Sequence, residues 1–289
     1  MILTDKWQDY AVLETANGEK LERWGDIVLR RPDPQVIWKG MKNHPLWKKA
    51  DAVYSRSKSG GGAWNQNKLP EQWSIAYDKL GLKFVLKPMG FKHTGLFPEQ
   101  AINWEKMYDL IKNANRPIKV LNLFAYTGGA TVACAKAGAS VVHVDASKGM
   151  TIQAKENAKL SGLENAPIRY IVDDCQKFIE REIRRGNKYD AVIMDPPSYG
   201  RGPGGEVWKL EECIGDFIKK ASLVLSDSPL FFLVNSYTTG ISPSAVGYIL
   251  NTVLKQRFGG HTELGEIGLK VTQTEEILPC GASTFYIGE

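Results

Sequence analysis

The sequence predicts an α/β fold organised around a mostly parallel sheet, and two observations support that class. Short apolar segments of the kind found in buried parallel strands recur after residue 118 and alternate with segments of helical periodicity. The clearest unit covers residues 119–145, KVLNLFAYTGGATVACAKAGASVVHVD, where the pattern indicates a strand, a glycine turn, a helix and a second strand. Three further apolar segments, IRYIV, YDAVIM and LFFLV, predict the strands that follow.

Composition limits the class of protein. At 289 residues the chain has room for one large α/β domain and a smaller module. No apolar run is long enough to span a membrane, and the first ten residues lack the pattern of a signal peptide. The four cysteines are scattered without a C-x-x-C pair, which argues against a zinc site or a disulfide framework. We therefore expect a cytoplasmic protein with neither a bound metal ion nor a membrane partner, and no particular oligomeric state is indicated.

The first 92 residues indicate a small β-rich module. Apolar and polar residues alternate loosely in YAVLETANGEKLERW, and Asn17-Gly18 is typical of a hairpin turn. Within residues 30–92 there are 13 Lys and Arg against 4 Asp and Glu, a net charge of +9. A concentrated basic region of this kind is typical of a protein with a polyanionic partner.

Aromatic residues stand among these cations, namely Trp47, Tyr54 and Trp64. This combination suits single-stranded nucleic acid, because aromatic rings can stack on its bases while cations contact its phosphates. The simpler explanation for each single tryptophan is packing in the core of the module. The whole basic region nevertheless favours contact with nucleic acid.

The glycine turn at residues 127–129 is the first functional signal. Gly128 and Gly129 can adopt positive φ angles and allow a ligand close to the backbone. Asp145 ends the next strand 17 residues after Gly128, where a carboxylate can accept both hydroxyls of a ribose. The turn does not have the spacing G-x-G-x-x-G, so a dinucleotide cofactor is disfavoured. An ordinary βα turn without a ligand is the structural alternative.

The second signal follows the strand YDAVIM, where Asp195, Pro196 and Pro197 precede Ser198 and Tyr199. A carboxylate followed by two prolines at a strand end makes a rigid, exposed turn, and we expect its backbone carbonyls to point outward without partners. Such a turn can orient an acceptor amine, and an aromatic ring can stack on an extruded base. A turn with only a structural role is the alternative.

The glycine-turn segment and the Asp-Pro-Pro segment both resemble motifs of a known family. NLFAYTGGAT resembles motif I of class I S-adenosylmethionine-dependent methyltransferases, and DPPSYG resembles motif IV of large-subunit ribosomal RNA methyltransferases in their DPP-x-(F/Y) form. The resemblance covers roughly residues 73–289. It implies a Rossmann-like, mostly parallel seven-stranded sheet with a C-terminal antiparallel hairpin in residues 93–289, after a β-rich module in residues 1–92. It also implies S-adenosylmethionine as cofactor and RNA, above all ribosomal RNA, as partner.

The resemblance implies the cofactor-binding residues as well. Motif I and the end of the second strand supply Asn122, Phe124, Tyr126, Thr127, Gly128, Gly129, Asp145 and Ala146. Asp174 and the amide of Cys175 would meet the adenine, with Asp173 as the alternative, although one of these aspartates could instead cap the following helix.

The segment GFKHTGLFPEQ just before motif I resembles a string that closes the cofactor site in the same family. Phe97 and Gln100 are the candidates for that role, while Pro98 also suits the first position of a helix. The resemblance implies that Asp195 borders both the cofactor and the acceptor. Together with Pro196, Pro197 and Tyr199 it forms the predicted catalytic set.

The cysteines help to predict the methylated atom. Methylation at C5 of a pyrimidine requires a cysteine thiolate that attacks C6. Family members with that activity place the cysteine after strand four or five, but here Ser198 and Asn235-Ser236-Tyr237 occupy those regions. Cys280, predicted in a loop before the last strand, does not match. We therefore expect direct transfer to a nitrogen, with an oxygen as the alternative, and no covalent adduct between enzyme and RNA. The alternatives are a nucleic-acid-binding protein with an inactive methyltransferase fold, a methyltransferase of protein or small molecules, and a Rossmann oxidoreductase.

Overall fold

The computed structural model describes residues 1–57, 61–65, 68–90, 92–201, 207–238 and 240–289. The chain divides into two compact units. The N-terminal unit contains Ile2–Ile102 and Ile267–Cys280, and the C-terminal unit contains Asn103–Glu266 and Gly281–Glu289 together with Met1. None of the helices in the described ranges has the length and apolar composition that crossing a membrane requires.

The N-terminal unit is rich in β-structure, as predicted. Its strands are β1 (Ile2–Thr4), β2 (Tyr10–Ala16), β3 (Glu19–Trp24), β4 (Ile27–Pro32), β5 (Ala52–Arg56), β6 (Gly62–Asn65), β7 (Trp73–Tyr77) and β8 (Leu82–Leu86). Strands β2 to β6 form one sheet in sequence order, while β7 and β8 form a separate hairpin. The predicted turn between β2 and β3 is confirmed, because Asn17 and Gly18 have φ angles of 56° and 79°.

Of the three aromatic residues named in the basic region, two belong to the core. Trp47 is buried against Leu21 and Val28, and Tyr54 is buried as well. Trp64 is half-buried and donates a hydrogen bond from its indole to the carbonyl of Met89 at 2.9 Å. For Trp47 and Tyr54 the core explanation is therefore correct, and their rings are not exposed platforms for bases.

A buried ion cluster lies between β3 and β4. The carboxylate of Glu22 is fully buried and accepts hydrogen bonds from Arg31 at 2.6 and 2.8 Å and from the hydroxyl of Tyr10 at 2.7 Å. Lys20 lies 3.4 Å from the same carboxylate. Burial by itself would raise the pKa of Glu22, but the charges of Arg31 and Lys20 outweigh it and lower the pKa to about 2.

The C-terminal unit contains the predicted alternation of strands and helices. The strands are β9 (Lys119–Leu123), β10 (Ser140–Asp145), β11 (Ile168–Val172), β12 (Ala191–Met194), β13 (Tyr199–Arg201), β14 (Val207–Lys209), β15 (Phe231–Ser236), β16 (His261–Lys270) and β17 (Ile277–Ile287). The helices are α1 (Ala101–Asn113), α2 (Gly129–Lys136), α3 (Lys148–Leu160), α4 (Cys175–Arg185), α5 (Leu210–Ser222) and α6 (Pro243–Leu250), which continues through π-helical Asn251–Lys255 to Gln256–Phe258. Helix α1 and strands β16 and β17 contribute residues to both units.

The large sheet confirms the predicted fold class. Its strand order in this unit is β11-β10-β9-β12-β15-β17-β16. Strands β9, β10, β11, β12 and β15 are all parallel to one another, whereas β17 is antiparallel to β15. The order corresponds to the Rossmann-like methyltransferase sheet. In that sheet a reversed strand, here β17, lies beside the fifth parallel strand, here β15. The C-terminal hairpin of the prediction is thus present.

Three local expectations differ from the structure. Strand β15 extends through Asn235 to Ser236, because both residues pair with β17. Cys280 lies inside β17 and not in a loop, since that strand begins at Ile277. The hairpin of β13 and β14 was not predicted, and the glycine-rich segment between them, residues 202–206, lies outside the described residues.

We predict that Glu22 gives the N-terminal unit acid lability. Glu22→Gln leaves Arg31 buried without its partner, so the free energy of unfolding in urea should fall by about 3–5 kcal/mol at pH 7. Because the pKa is about 2 in the folded chain and about 4.3 in the unfolded chain, the stabilisation is present above pH 4 to 5. It is lost as pH falls through the folded pKa.

The difference between wild type and variant should accordingly shrink as the pH approaches 2. The control is Glu263→Gln, which removes an exposed ion pair with Lys106 and should cost less than about 1 kcal/mol. Equal effects of the two substitutions at pH 7 would contradict a special role for the buried cluster.

Candidate functional site

The site is built where three parallel strands end together. Leu123, the last residue of β9, is in register with Val144 of β10 and with Met194, the last residue of β12. The residues that follow these positions therefore meet at one edge of the sheet. They are Phe124, Asp145 and Asp195, which carry the two motifs found in the sequence.

The loop after β9 has an unusual backbone. Phe124 and Tyr126 have φ angles of 54° and 50°, and Gly128 has 81°. For a non-glycine residue this left-handed region is strained by about 1–3 kcal/mol, and such strain clusters at functional sites. The amide of Phe124 donates to Sγ of Cys175 at 3.3 Å, and the amide of Tyr126 donates to Oδ2 of Asp145 at 2.8 Å. These contacts hold the loop in its strained conformation.

Asp145 is fixed by backbone amides on both sides. In addition to the Tyr126 amide on Oδ2, its Oδ1 accepts the amide of Ser147 at 2.8 Å. Burial raises the pKa of Asp145, while these two amides act in the opposite direction. Each carboxylate oxygen has a second lone pair, so the group can still accept hydroxyl donors. The following residue, Ala146, is exposed.

Gly128 is required both by its positive φ angle and by packing, whereas Gly129, for which a positive φ was also expected, is required by packing alone. A Cβ atom on Gly128 would lie 2.9 Å from Cβ of Ala154 in α3. A Cβ atom on Gly129 would lie 2.7 Å from the indole ring of Trp104 in α1. The start of α2 is therefore pressed against both neighbouring helices. Any larger residue would push the loop away from the edge of the sheet.

Buried polar side chains support the same loop from inside. Asn122 donates to Oγ1 of Thr131 at 2.9 Å, and this hydroxyl lies 2.9 Å from Nδ1 of His143. The carbonyl of Thr127 accepts from Asn157 at 2.8 Å. Burial lowers the pKa of His143 to about 3, so the imidazole is neutral at physiological pH. In this structure Asn122 and Thr127 therefore form hydrogen bonds that stabilise the loop.

Next along the sheet edge, β11 leads into the pair Asp173 and Asp174. Asp174 caps α4, because its Oδ1 accepts the amide of Lys177 at 2.9 Å. Asp173 accepts the Asp174 amide at 2.9 Å and forms an ion pair with Arg181. The capping explanation therefore holds for Asp174, whose side chain is exposed at the same edge. Cys175 is buried, and burial raises the pKa of its thiol.

The Asp-Pro-Pro turn follows β12. Asp195 is half-buried and Pro196 is buried, whereas the ring of Tyr199 is 52% exposed. The expectation that the carbonyls of this turn lack partners is wrong for two of them. The carbonyl of Pro197 accepts from the indole of Trp208 at 2.6 Å, and that of Ser198 accepts from the amide of Leu210 at 3.0 Å.

Two groups of residues at this edge were missed by the sequence reasoning. One is Trp208 with Thr238, whose hydroxyl donates to the hydroxyl of Ser198 at 2.6 Å. The other is a buried cluster in which Asn103 donates to Asn235 at 3.2 Å and to Ser283 at 2.7 Å. These contacts join residues far apart in the sequence, and no local pattern announces them.

Phe97 and Gln100 belong to the N-terminal unit. Pro98 occupies the first position of a short 3-10 helix, Pro98–Gln100, as its residue type suggested. Gln100 is buried in that unit. The role of Phe97 and Gln100 toward the cofactor stays a prediction.

The chemistry of the described residues fits a nucleoside cofactor. Asp145 is held by two amides and retains lone pairs that can accept hydroxyl groups, and Cys175 is the first residue of α4, where amides lack partners within the helix. The backbone at Gly128 leaves no room for a side chain. Nucleotide sites in α/β folds lie at this carboxyl edge of the parallel sheet.

Comparison with known proteins agrees with this geometry. A family model described as S-adenosylmethionine-dependent methyltransferase matches residues 52–208. The ribosomal RNA large subunit methyltransferase K/L of Shewanella frigidimarina (strain NCIMB 400) is 30% identical over 236 residues, 76% of this chain and 31% of that protein. A Methanocaldococcus jannaschii protein, named provisionally as a ribosomal RNA large subunit methyltransferase, is 37% identical over 69% of this chain and 49% of its own length.

A solved structure is similar over the whole chain. The crystal structure of the S-adenosylmethionine-dependent methyltransferase from Agrobacterium tumefaciens superposes with a TM-score of 0.92 at 35% identity. The match covers 100% of this chain and 93% of that one. By contrast, the chain spans less than half the length of the two curated relatives. The predicted family, fold and cofactor are confirmed, and the chain belongs to the S-adenosylmethionine-dependent methyltransferases.

Proposed function

We propose that the chain transfers a methyl group from S-adenosylmethionine to a nitrogen of an RNA base, with ribosomal RNA as the substrate class. The observation that carries the proposal is the placement of the Asp195-Pro196-Pro197 turn at the sheet edge that also holds Asp145. The names of the two curated relatives support the choice of RNA. We assign the activity to the cytoplasm, since the four cysteines are free thiols.

We assign the cofactor to the loop after β9 and its neighbours. Asp145 would accept the ribose hydroxyls, and Asp174 with the amide of Cys175 would meet the adenine. The strained backbone of Phe124 and Tyr126 would shape the floor of the site. When bound, S-adenosylmethionine supplies an electrophilic methyl group on a sulfonium.

We assign the acceptor to the turn after β12. The carboxylate of Asp195 and the carbonyl of Pro196 would accept the N–H groups of the target nitrogen, because the Pro197 carbonyl is already bonded to Trp208. Holding those N–H groups turns the nitrogen lone pair toward the methyl carbon. Formation of the N–C bond would accompany loss of the C–S bond, and Asp195 or water would accept the surplus proton. Positioning of this kind supplies much of the rate in an in-line displacement.

The surroundings of the turn favour an unpaired base as the acceptor. Tyr199 lies two residues after Pro197 and is 52% exposed, so its ring can stack on a base that has left its own stack. A nitrogen is favoured over C5 of a pyrimidine because neither residues 195–199 nor residues 235–237 contain a cysteine that could act as the nucleophile. Burial raises the pKa of the thiols of Cys134, Cys175 and Cys280, which keeps them protonated at neutral pH.

The N-terminal unit offers a second surface for RNA. Ile37 and Met41 are 86% and 79% exposed, and Trp38 is partly exposed beside them. Asn17 anchors this loop, since its side chain donates to the carbonyl of Gly40 at 2.8 Å. Exposed apolar side chains on an ordered loop are suited to packing against unstacked bases.

The same unit also carries exposed cations. They are Lys39, Lys48, Lys49 and Arg56. The nearby carboxylate of Glu19 is already paired with Arg30 and Lys42. The exposed charge of the surface is therefore positive, and we propose that the module of residues 1–92 guides RNA through it.

The test of the proposed function is labelled methyl transfer from S-adenosylmethionine to total RNA, DNA and protein in parallel. We expect label in RNA, and nucleoside analysis should find the methyl group on a base nitrogen. Label confined to protein or DNA would overturn the choice of substrate. Binding of the cofactor without transfer to any acceptor would favour an inactive methyltransferase fold.

We predict that Asp145→Ala weakens S-adenosylmethionine binding by about tenfold or more. A hydrogen bond to a charged group contributes about 1.5–3 kcal/mol, and 1.4 kcal/mol corresponds to a factor of ten. Because the pKa of Asp145 is raised, wild-type affinity should fall on acidification at a higher pH than for an ordinary aspartate. Titration calorimetry across pH measures both effects.

Two variants serve as controls for this titration. Asp145→Asn should remove the pH dependence, whereas Asp216→Ala, at an exposed position of α5, should change neither affinity nor its pH profile. A folded Asp145→Ala protein with wild-type affinity would contradict the assignment.

We predict that Asp195→Ala lowers kcat by on the order of a hundredfold while cofactor affinity changes far less. We assign the carboxylate to holding the acceptor, whereas Asp145 and the loop after β9 are assigned to the cofactor. Steady-state methylation rates and calorimetry on the same preparation separate the two quantities. Turnover within a few-fold of wild type would show that the turn is only structural.

We predict that Lys48→Glu, Lys49→Glu and Arg56→Glu together flatten the salt dependence of RNA binding. Each lost phosphate contact should reduce the slope of log K against log salt by about 0.7 for a single strand. Three contacts would reduce it by about 2. Filter binding at several salt concentrations measures the slope.

The charge-matched control reverses three exposed lysines of the C-terminal unit, Lys159, Lys219 and Lys255. It should lower affinity less and leave most of the slope. A triple variant of the N-terminal unit with the wild-type slope would assign its cations to ordinary solvated surface. Lys58, part of the same predicted basic region, lies outside the described residues.

A further inference from the structure

We infer that Trp208 is a positioning residue that holds the acceptor turn and the cofactor loop at a fixed spacing. The inference rests on the proposed function, because it assigns the two loops to acceptor and cofactor. It concerns a side chain that touches both loops. Neither of the two motifs includes Trp208.

The first contact is a hydrogen bond to the acceptor turn. The indole N–H of Trp208 donates to the carbonyl of Pro197 at 2.6 Å. Pro196 and Pro197 have no amide hydrogens, so the turn can form few hydrogen bonds of its own. The donor from β14 therefore fixes the orientation of the peptide unit that follows Pro197, next to the residues proposed to hold the substrate.

The second contact is an aromatic cluster that includes the cofactor loop. The ring of Trp208 lies 5.9 Å from that of Phe124 and 5.5 Å from that of Phe217, measured between centroids. Phe124 and Phe217 are 5.6 Å apart, so the three rings contact one another. Phe124 is one of the residues with a strained, left-handed backbone. Packing on its ring helps to keep that backbone in place.

These contacts separate into two testable functions of one side chain. The N–H group bonds to the Pro197 carbonyl, while the ring packs on Phe124. Trp208→Phe removes the hydrogen bond and retains an aromatic ring. Trp208→Leu removes both the hydrogen bond and the aromatic contact. A residue with a merely structural role would affect stability in both variants without separating kcat from cofactor affinity.

The chain offers a matched control in Trp64. Its indole also donates to a backbone carbonyl, that of Met89 at 2.9 Å, within the N-terminal unit. Trp64→Phe therefore removes the same type of hydrogen bond within the N-terminal unit. It should leave the Kd for S-adenosylmethionine and hydrogen exchange at Ser198 and Tyr199 unchanged.

The experiment uses the full chain and the acceptor that takes label from the wild-type protein. We expect Trp208→Phe to lower kcat by about tenfold to a hundredfold, with the Kd for S-adenosylmethionine within twofold of wild type. Trp208→Leu should lower kcat at least as much and also weaken the cofactor several-fold. Hydrogen exchange at Ser198 and Tyr199 should be faster in both variants but not in Trp64→Phe.

The inference is overturned if Trp208→Phe retains kcat within twofold, or if its lost activity equals the lost folded fraction. Failure of the proposed function has a different signature, since the wild type would then methylate no acceptor. In that case the inference is decided by hydrogen exchange at Ser198 and Tyr199 and by the Kd values of the two Trp208 variants for S-adenosylmethionine. Equal cofactor affinities of Trp208→Phe and Trp208→Leu would contradict the link to Phe124, and unequal affinities would support it.

Discussion

The register of three parallel strands is the constraint on which the site depends. Leu123, Val144 and Met194 lie side by side, and each is fully buried. A shift of one residue in any of the strands would turn its apolar side chains to the opposite face. Because β9 from Val120 onward and all of β12 are buried at every position, such a shift would disrupt the packing on both faces of the sheet. That register in turn brings the ends of β9, β10 and β12 to one edge, so the motifs need no contact with each other to be brought together.

Asp145 stabilises the protein's own loop before it binds any ligand. Its carboxylate accepts amides from both Tyr126 and Ser147, and one of these amides belongs to a residue with strained backbone. The hydrogen bond offsets part of the strain. The cofactor site is therefore preorganised by the same group that we assign to the ribose, and a measured loss of affinity on substitution combines the missing contact with a relaxed loop. The Asn variant separates these effects, since it can retain one acceptor oxygen.

Sequence reasoning succeeded where a local pattern has only one structural outcome. Apolar strands between helices predicted the sheet, and Asn17-Gly18 predicted its hairpin. It was incomplete where one residue type suits two roles, because an aspartate before a helix has the same local signature as a cap and as a ligand, as at Asp174. It could not find Trp208, whose contacts with Pro197 and Phe124 depend on how β14 returns beside the turn. Cys280 was misplaced because the apolar pattern does not show where β17 begins.

Charge in the N-terminal module has to be divided between folding and binding. The net charge of +9 in residues 30–92 counts Arg30, Arg31 and Lys42, yet these pair with Glu19 and Glu22, which precede that stretch. Their charges are neutralised locally and contribute little to the field at the surface. A polyanion would meet mainly the exposed cations, such as Lys48 and Lys49. Composition therefore overstates the number of phosphates that the module can neutralise, and its salt dependence should reflect the exposed cations alone.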